Sequence, residues 1–482
     1  MTESLPLPAE IWNRVPPEAQ ALILVLLNKV AILEKRVDEF ERQNAELLER
    51  LNRSSRNSSK PPSSDQPHVK RSPPRRNSGK KRGGQPGHPK HERELVPADQ
   101  VRDVLDVLPS ECRRCATPLT GADPQPLRHQ VAEIPPVLPV VDEYRLHRLV
   151  CPDCGISTCA ELPAGVPQGH FGPRLMALVA TLSGAYRLGK RPLQQLLLDL
   201  CGLRISLGMI CKLQTQMTEV LSRPMEQILG AIAGPAVHMD ETGWRENRRK
   251  AWLWVVVTPL VTVFRIAATR GSKVVSELLG TRVNYVVNCD RAKAYRHLRV
   301  IQWCWAHLKR DFQAMIDRGG KARRIGSELL SHAEVLFQWW YHVRDGTWSR
   351  GTFQKNVANL RGAFRDELEA GLACGCEKTA ATCGDLLSQE AWLWTFVRRE
   401  GVEPTNNNAE RSLRAAVLWR KCSGGTDSGA GSRFAESILS VIASCRQQNR
   451  HVLDYLTACC AAHYNHRAAP SILPRRRVLR TA

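Results

Sequence analysis

Between residues 236 and 290 the hydrophobic pattern changes from helical to extended, and this most limits what the chain can fold into. AVHMD, AWLWVVVTP and LVTVFRIAAT are short runs rich in β-branched and aromatic residues, separated by turn or charged residues. Such runs suit the pleated, half-buried surface of a sheet, and they predict consecutive strands of one antiparallel set. A helix over 272–279 follows, then the strand NYVVNC, then IQWCWAHLKRDFQAMID, which reads as a strand running into a helix. In the order β-β-β-α-β-α-β-α, Asp240 ends or closely follows strand one and Asp290 follows strand four. The two acids are then expected side by side at one sheet edge.

A third acid, Glu410, lies far downstream in NNNAERSLR. Asn is a favoured N-cap, so a helix is predicted to start there with Glu410 in its first turn. Arg414, four residues on, shares that face and is placed to contact a phosphate. Two strand-end carboxylates and one helical carboxylate can converge on two divalent cations about 4 Å apart, an arrangement that activates an oxygen nucleophile and stabilises the leaving oxygen in phosphodiester chemistry. Singly, most acids are solvated surface groups, so the setting of these three carries the argument. Glu241, adjacent to Asp240, points to the opposite side of an extended segment and is not expected to share the ligand role. The element order is that of a ribonuclease H-like α/β fold. Its first part is expected over 236–318, an all-helical insertion over 319–400, and its second part, with the Glu410 helix, over 401–465. Trp339 and Trp340 in the insertion could stack on bases, but their spacing among Leu, Val and Phe suits a core.

The chain as a whole has the composition of a polyanion binder. It has 482 residues and a formal net charge of +22, so DNA or RNA is the expected partner, with marked salt dependence. The apolar run over 21–27 is too short to span a bilayer and the N-terminus is acidic and polar, which predicts a soluble, cytoplasmic, nucleoid-associated protein with no membrane partner. Within 1–52, Ile23, Leu26, Val30, Leu33, Val37, Phe40, Leu47 and Leu51 recur at steps of three and four, with Asn44 as the polar seam position. This predicts a coiled coil and a homo-oligomer. Residues 53–92 form a Ser, Pro, Gly and basic tract that cannot bury enough surface to fold alone and reads as a disordered linker. Its Lys70, Arg71, Arg75, Arg76, Lys80, Lys81 and Arg82 are expected to contact phosphates without reading sequence. Over 93–165, Cys112 and Cys115, then Cys151 and Cys154, form two CxxC pairs, the pattern of a structural Zn2+ site in a zinc-ribbon-like domain. Alternation in PPVLPVVDEYRLHRLV predicts strands leading into the second pair. Residues 166–235 read as a helical DNA-binding region, with two helices joined by a Gly-containing turn; the spacing is compatible with a helix-turn-helix, but a plain helical hairpin is the more frequent cause of such a pattern and the favoured reading. Residues 466–482 are a basic tail.

Taken together, the zipper, NSSKPPSSD, GGQPGH, the CxxC pairs, HMDETGW, CWAHLKRDF, NNNAERSLR and the following KCSGG resemble the main transposase of the IS66 family of insertion sequences, a DDE-type transposase. The resemblance runs over nearly the whole length. It implies that Asp240, Asp290 and Glu410 are the catalytic acids and hold two Mg2+ or Mn2+ ions, with Asp240 bridging both. It implies cleavage at transposon ends by metal-activated water, then attack of the freed 3′-hydroxyl on target DNA. His307 and Arg310 resemble family positions near the active site and are taken as auxiliary. Accessory proteins of the same element are implied as partners. The alternative function is a catalytically inactive or domesticated DNA-binding regulator; a nuclease of the same fold would cut without joining.

Overall fold

The computed structural model describes residues 8–58, 65, 94–280 and 283–474. These divide into two compact units, one containing 144–193 and 206–474 with the N-terminal residues, the other containing the described part of 70–143 with 194–205.

The larger unit begins with α1 (Ala9–Trp12) and the 36-residue α2 (Pro17–Asn52). The apolar seam of α2 is uncovered, Leu33, Val37 and Phe40 each being more than half exposed. A short hairpin, β1 (Arg148–Val150) and β2 (Ser157–Cys159), is followed by α3 (Pro173–Gly184), by α4 (Lys190–Cys201), whose residues from 194 on are counted with the smaller unit, and by α5 (Leu207–Val220) and α6 (Ser222–Gly230). The strands expected before the second CxxC pair reduce to β1, three exposed residues, because residues 134–147 find no ladder partner.

The central sheet contains β3 (Ala236–Glu246), β4 (Arg249–Val257), β5 (Thr262–Ala267), β6 (Val286–Cys289) and β7 (Ile301–Trp303), with α7 (Ser272–Leu279) between β5 and β6. Its order is β5-β4-β3-β6-β7, antiparallel from β5 to β3 and parallel from β3 to β7. Two expectations change. The link from β6 to β7 holds a single 3₁₀ turn, Lys293–Tyr295, instead of an α-helix. Moreover, β3 does not end at Asp240 but runs on to Glu246, because β4 pairs with it along its length, from His238↔Val257 to Glu246↔Arg249. Asn247 and Arg248 close that hairpin with positive φ at both positions, the backbone of a two-residue primed turn.

After β7 come α8 (Trp305–Arg318), α9 (Gly320–Arg344), α10 (Arg350–Leu372), α11 (Glu377–Ser388) and α12 (Thr395–Arg398), so 319–400 is helical apart from its connections. Trp340 is buried against Phe353 and Phe396, a core residue of this region. The chain then returns to the sheet with α13 (Asn407–Ser423) and α14 (Gly429–Gln447), and ends its described part after α15 (Val452–Tyr464).

Helices α13 and α14 cover one sheet face. Ala409, Leu413 and Ala416 recur at helical spacing and pack with Ala435 and Leu439 against Trp244, Leu253, Val255, Phe264 and Ile266. Burial of each large side chain contributes about 1.5–3 kcal/mol. Helix α14 also seals the sheet's edge. Ser444 Oγ, Ser440 Oγ and Glu436 Oε1 accept the outward N–H groups of Thr262 (3.0 Å), Phe264 (2.8 Å) and Ile266 (2.6 Å) on β5. An edge strand with unpaired N–H groups would otherwise be a template for intermolecular pairing.

In the smaller unit Cys112 N–H donates to Thr117 O (2.9 Å) and Ala116 N–H to Cys112 O (2.9 Å), with Ala116 at positive φ. The other CxxC pair, in the larger unit, repeats the pattern: Cys151 N–H to Ile156 O (2.9 Å), Gly155 N–H to Cys151 O (2.9 Å), and Gly155 at positive φ. Each pair thus sits on the same tight knuckle.

Candidate active site

The site forms where β3 and β6 part. Their parallel register pairs Ala236↔Val286, Val237↔Val287 and His238↔Asn288, and goes no further. Asp240 and Asp290 each stand two residues beyond that last pair. With a side-chain period of two, each shares the face of His238 or Asn288. Thus Asp240 is mid-strand in the β3–β4 hairpin, yet just past the end of the parallel pairing. Asp290 directly follows β6, as expected, and its Oδ1 accepts the Ala292 N–H at 2.9 Å. Beyond it, Arg291 is fixed by Asp311 of α8 (2.6 Å) and Asp385 of α11 (2.8 Å).

The chain that delivers Glu410 is laced across these same strand ends. Asn288 Nδ2 donates to Glu403 O (2.7 Å) and Thr405 O (3.1 Å). Asn406 is fully buried: its Nδ2 donates to Met239 O (2.7 Å), its Oδ1 lies 3.3 Å from His238 Nδ1, and its N–H meets Cys304 Sγ at 3.1 Å. Asn408 Nδ2 lies 3.2 Å from His238 Nε2. Burial lowers the pKa of His238 to about 4, so the ring is neutral at pH 7. A neutral ring satisfies both contacts as the tautomer that donates from Nδ1 to Asn406 and accepts at Nε2 from Asn408. Helix α13 does begin at the asparagines with Glu410 in its first turn, but the Asn406 side chain makes no capping bond, being committed to β3. At the other end of α13 the KCSGG segment also docks on β3. Thr426 N–H donates to Arg245 O (2.9 Å), and Gly425, at φ +123°, passes so close that a Cβ would overlap the Arg245 carbonyl oxygen.

Three acids from three elements therefore share one electrostatic cluster. Burial pushes the Asp240 carboxyl well above the usual range, and the charges of Glu241, Asp290 and Glu410 push it further. Glu410 Oε1 stands 3.6 Å from His307 Nδ1, and Oε2 4.0 Å from Arg310, both on α8. Glu410 Oε1 and His307 Nδ1 are buried without a hydrogen-bond partner. Among the described residues, the one set of three His, Cys, Asp or Glu residues with ligand atoms within 4.8 Å of one another is Cys304, His307 and Glu410, so the three carboxylates are spread more widely than that. Burial raises the Cys304 thiol to about 11, which keeps it protonated. Mutually repelling carboxylates and orphaned polar atoms facing each other are the features a bound cation would relieve, so the donor set fits divalent metal.

Several contributors were not foreseen. Glu241, buried, accepts from Arg270 at 2.5 Å and from the Tyr295 hydroxyl. Arg270 also lies 3.7 Å from Asp290. Neither Arg270, beyond the third apolar run, nor Tyr295 belongs to a pattern that marks it in advance. Arg414 is exposed, and the charged neighbours of Glu410 are His307 and Arg310 instead. Arg270, Asp290, Lys293, His307, Arg310 and Ser58 line a cleft of about 470 Å³. Lys70, Arg71, Arg75, Arg76, Lys80, Lys81 and Arg82 lie outside the described residues. At the cysteine knuckles, hydrogen bonds from the Thr117 side chain and backbone lower the Cys115 thiol, and the backbone N–H of Cys154 lowers Cys151. No helix of the described residues is long and apolar enough to cross a membrane.

The family model described as "Transposase IS66 family" matches residues 168–433, more than half of the chain and all of the cluster above, which places the protein among the transposases. The chain belongs to the IS66 transposase family. Residues 5–94 match a second model, described as a family of unknown function, DUF6444. A relative, the uncharacterised protein y4qI of Sinorhizobium fredii (strain NBRC 101917 / NGR234), is 25% identical over 233 residues, which is 43% of this chain and 43% of the relative's length.

Proposed function

We propose that this transposase binds the ends of an IS66-like insertion sequence, cleaves a strand there and joins the freed 3′-hydroxyl to target DNA, within a ribonuclease H-like core. The observation that carries the proposal is the convergence of Asp240, Asp290 and Glu410 from β3, β6 and α13 into a cluster whose charges act on one another. Asp240, Asp290 and Glu410 would hold Mg2+ or Mn2+, which when bound supplies Lewis-acid activation of the attacking and leaving oxygens. His307 and Arg310 orient the Glu410 carboxylate. Arg270, Lys293 and Arg310 set positive charge along the cleft where a phosphodiester enters. Asp240→Asn should abolish metal-dependent cleavage and joining of end DNA while leaving DNA affinity unchanged. Cleavage retained in that variant refutes the assignment, wild-type binding without any cleavage points to the regulator, and cutting without joined products points to a nuclease.

Two further parts belong to this proposal. The knuckle formed by each cysteine pair supports a structural Zn2+ on Cys112, Cys115, Cys151 and Cys154; metal analysis should find zinc in the purified chain and lose it in Cys115→Ser, and zinc-free wild type sinks the idea. The exposed seam of α2 supports a homo-oligomer through a coiled coil.

A further inference from the structure

CWAH places a thiol and an imidazole three residues apart where β7 gives way to α8. Cys304 leads into the helix, and its carbonyl accepts the His307 N–H at 3.1 Å and the Leu308 N–H at 3.3 Å, which curls both side chains to one side of the first turn. Two further elements fix this junction. Cys304 N–H donates to Cys289 O of β6 at 2.9 Å, and Trp305 N–H to Pro404 O at 3.0 Å, in the segment that leads into α13. The same segment sets Glu410, whose N–H donates to Asn406 O at 3.2 Å. Thiol, imidazole and carboxylate are therefore brought together by backbone bonds and not by bonds to one another.

Their donor atoms suit a metal better than they suit each other. One from each residue lies within 4.8 Å of the other two, and Cys304 is 1% exposed. His307 Nδ1 and Glu410 Oε1 stand 3.6 Å apart, too far for a hydrogen bond, and each is buried without a partner. Around a tetrahedral ion with bonds of about 2.0 to 2.3 Å, neighbouring donors stand roughly 3.3 to 3.6 Å apart, so the gap has the width that an ion fills. Arg310 lies 4.0 Å from the other oxygen, Oε2, which leaves Oε1 to face the imidazole. The set is also selective. Mg2+ takes oxygen donors, whereas a thiolate, an imidazole and a carboxylate are the donors of Zn2+, and three of them leave a fourth position open.

We propose that Cys304, His307 and Glu410 form a site for a thiophilic divalent ion of the Zn2+ class, and that an ion held there withdraws Glu410 from Mg2+ and stops strand cutting. On binding, the Cys304 thiol releases its proton to solvent. Among the described residues Glu410 falls into a group of this tightness with Cys304 and His307, and not with Asp240 and Asp290, so one carboxylate serves two competing ions. The inhibitory step rests on the reading of Glu410 as a Mg2+ ligand, whereas the site itself stands without it.

Co2+ added to the full-length chain reads the site through the near-ultraviolet absorption of a cobalt–thiolate bond. The signal is the difference between wild type and Cys304→Ser, because the knuckle cysteines contribute equally to both, and Ser keeps an acceptor for the Asn406 N–H. Wild type should bind one more Co2+ than Cys304→Ser and show the extra thiolate band, and Asp240→Asn should retain that band. Equal spectra and equal Co2+ content overturn the site and leave His307 and Glu410 as an ion pair. Should Cys304→Ser melt early, His307→Ala serves instead: a cobalt spectrum identical to wild type overturns the site, and loss or displacement of the band supports it. In Mg2+-dependent cutting of end DNA, Zn2+ should inhibit wild type at about a tenth of the concentration that Cys304→Ser needs, each measured against its own rate in Mg2+ alone. Equal sensitivity with the band present overturns the inhibitory step. A wild type that shows the band but never cuts in Mg2+ overturns the functional reading beneath that step, and the step with it.

Discussion

Asn406→Asp swaps one atom in the strand-to-helix lacing and should disable the site in a pH-dependent way. In the wild type the Asn406 amide donates to Met239 O at 2.7 Å from a position of 0% exposure. An ionised Asp there sets oxygen against oxygen, loses that bond and leaves a buried carbonyl unsatisfied, a cost of about 1–3 kcal/mol. Burying the charge adds about 1.4 kcal/mol for each unit by which burial raises the new carboxyl's pKa above its unfolded value. A neutral carboxylic acid, by contrast, donates its O–H to Met239 O much as the amide did. At pH 8 the variant should therefore unfold at lower urea, by roughly 3 kcal/mol in total. Its kcat should fall about 10²-fold, because Glu410, four residues on, is no longer held in place. As pH is lowered to 6 the ratio of variant to wild-type kcat should climb, whereas the ratio for Asn406→Ala should stay flat. In the wild type His238, lowered to about 4, remains neutral across this range. Activity within about threefold of wild type at pH 8, or a ratio that does not respond to pH, refutes the view that Asn406 places Glu410.

Other outcomes follow from individual contacts. Because the folded pKa of His238 lies below its ordinary 6.5, its contribution to stability is present above pH 6.5 and is lost as pH falls toward 4, by up to about 3 kcal/mol. The difference in urea midpoint between wild type and His238→Gln should shrink over that window, and a constant difference counts against a buried neutral ring. Ser440→Ala leaves the Phe264 N–H without an acceptor and should cost about 1–3 kcal/mol in urea unfolding; no loss would mean the β5 edge is satisfied by other groups. Leu33→Asp combined with Phe40→Asp should reduce the particle mass in sedimentation without altering the fold of the core, and an unchanged mass removes the coiled coil from the account.

Much of the site was legible in the sequence because it depends on local pattern. The switch from helical to alternating periodicity located β4, β5, β6 and β7 and set Asp290 just after its strand, and the asparagines marked the start of α13. What escaped was set by partners distant in sequence. That β3 continues through Asp240 follows from β4 lying beside it, since Asp, Glu, Thr and Gly are poor strand formers by themselves. The two-residue offset shared by Asp240 and Asp290 is a matter of register between strands, on which neither sequence bears alone. Asn406 has the composition of a cap and acts as a tie to another strand, and buried Glu241 and Tyr295, which meet each other and exposed Arg270, stand 54 positions apart. Just after α2, over 53–58, the composition of a linker hides local bonds: Ser54 N–H donates to Asn57 Oδ1, and Asn57 Nδ2 to Asp317 of α8.

The contact between α14 and β5 also works as a ruler. Four residues of helix advance about 6.0 Å while two residues of strand advance about 6.8 Å, so each successive step drifts by roughly 0.8 Å. Serines at 444 and 440 suffice for the first two steps, and at the third the longer Glu436 takes over to reach Ile266. On the other side, Gln447 and Gln448 extend to Thr258 O (3.1 Å) and Leu260 O (3.2 Å). A fourth step in line would be out by about 2.4 Å, beyond what any side chain of serine length can span. The six residues of β5 are thus close to the longest margin that this helix can guard, and the width of the sheet on that side is limited by the mismatch of two pitches.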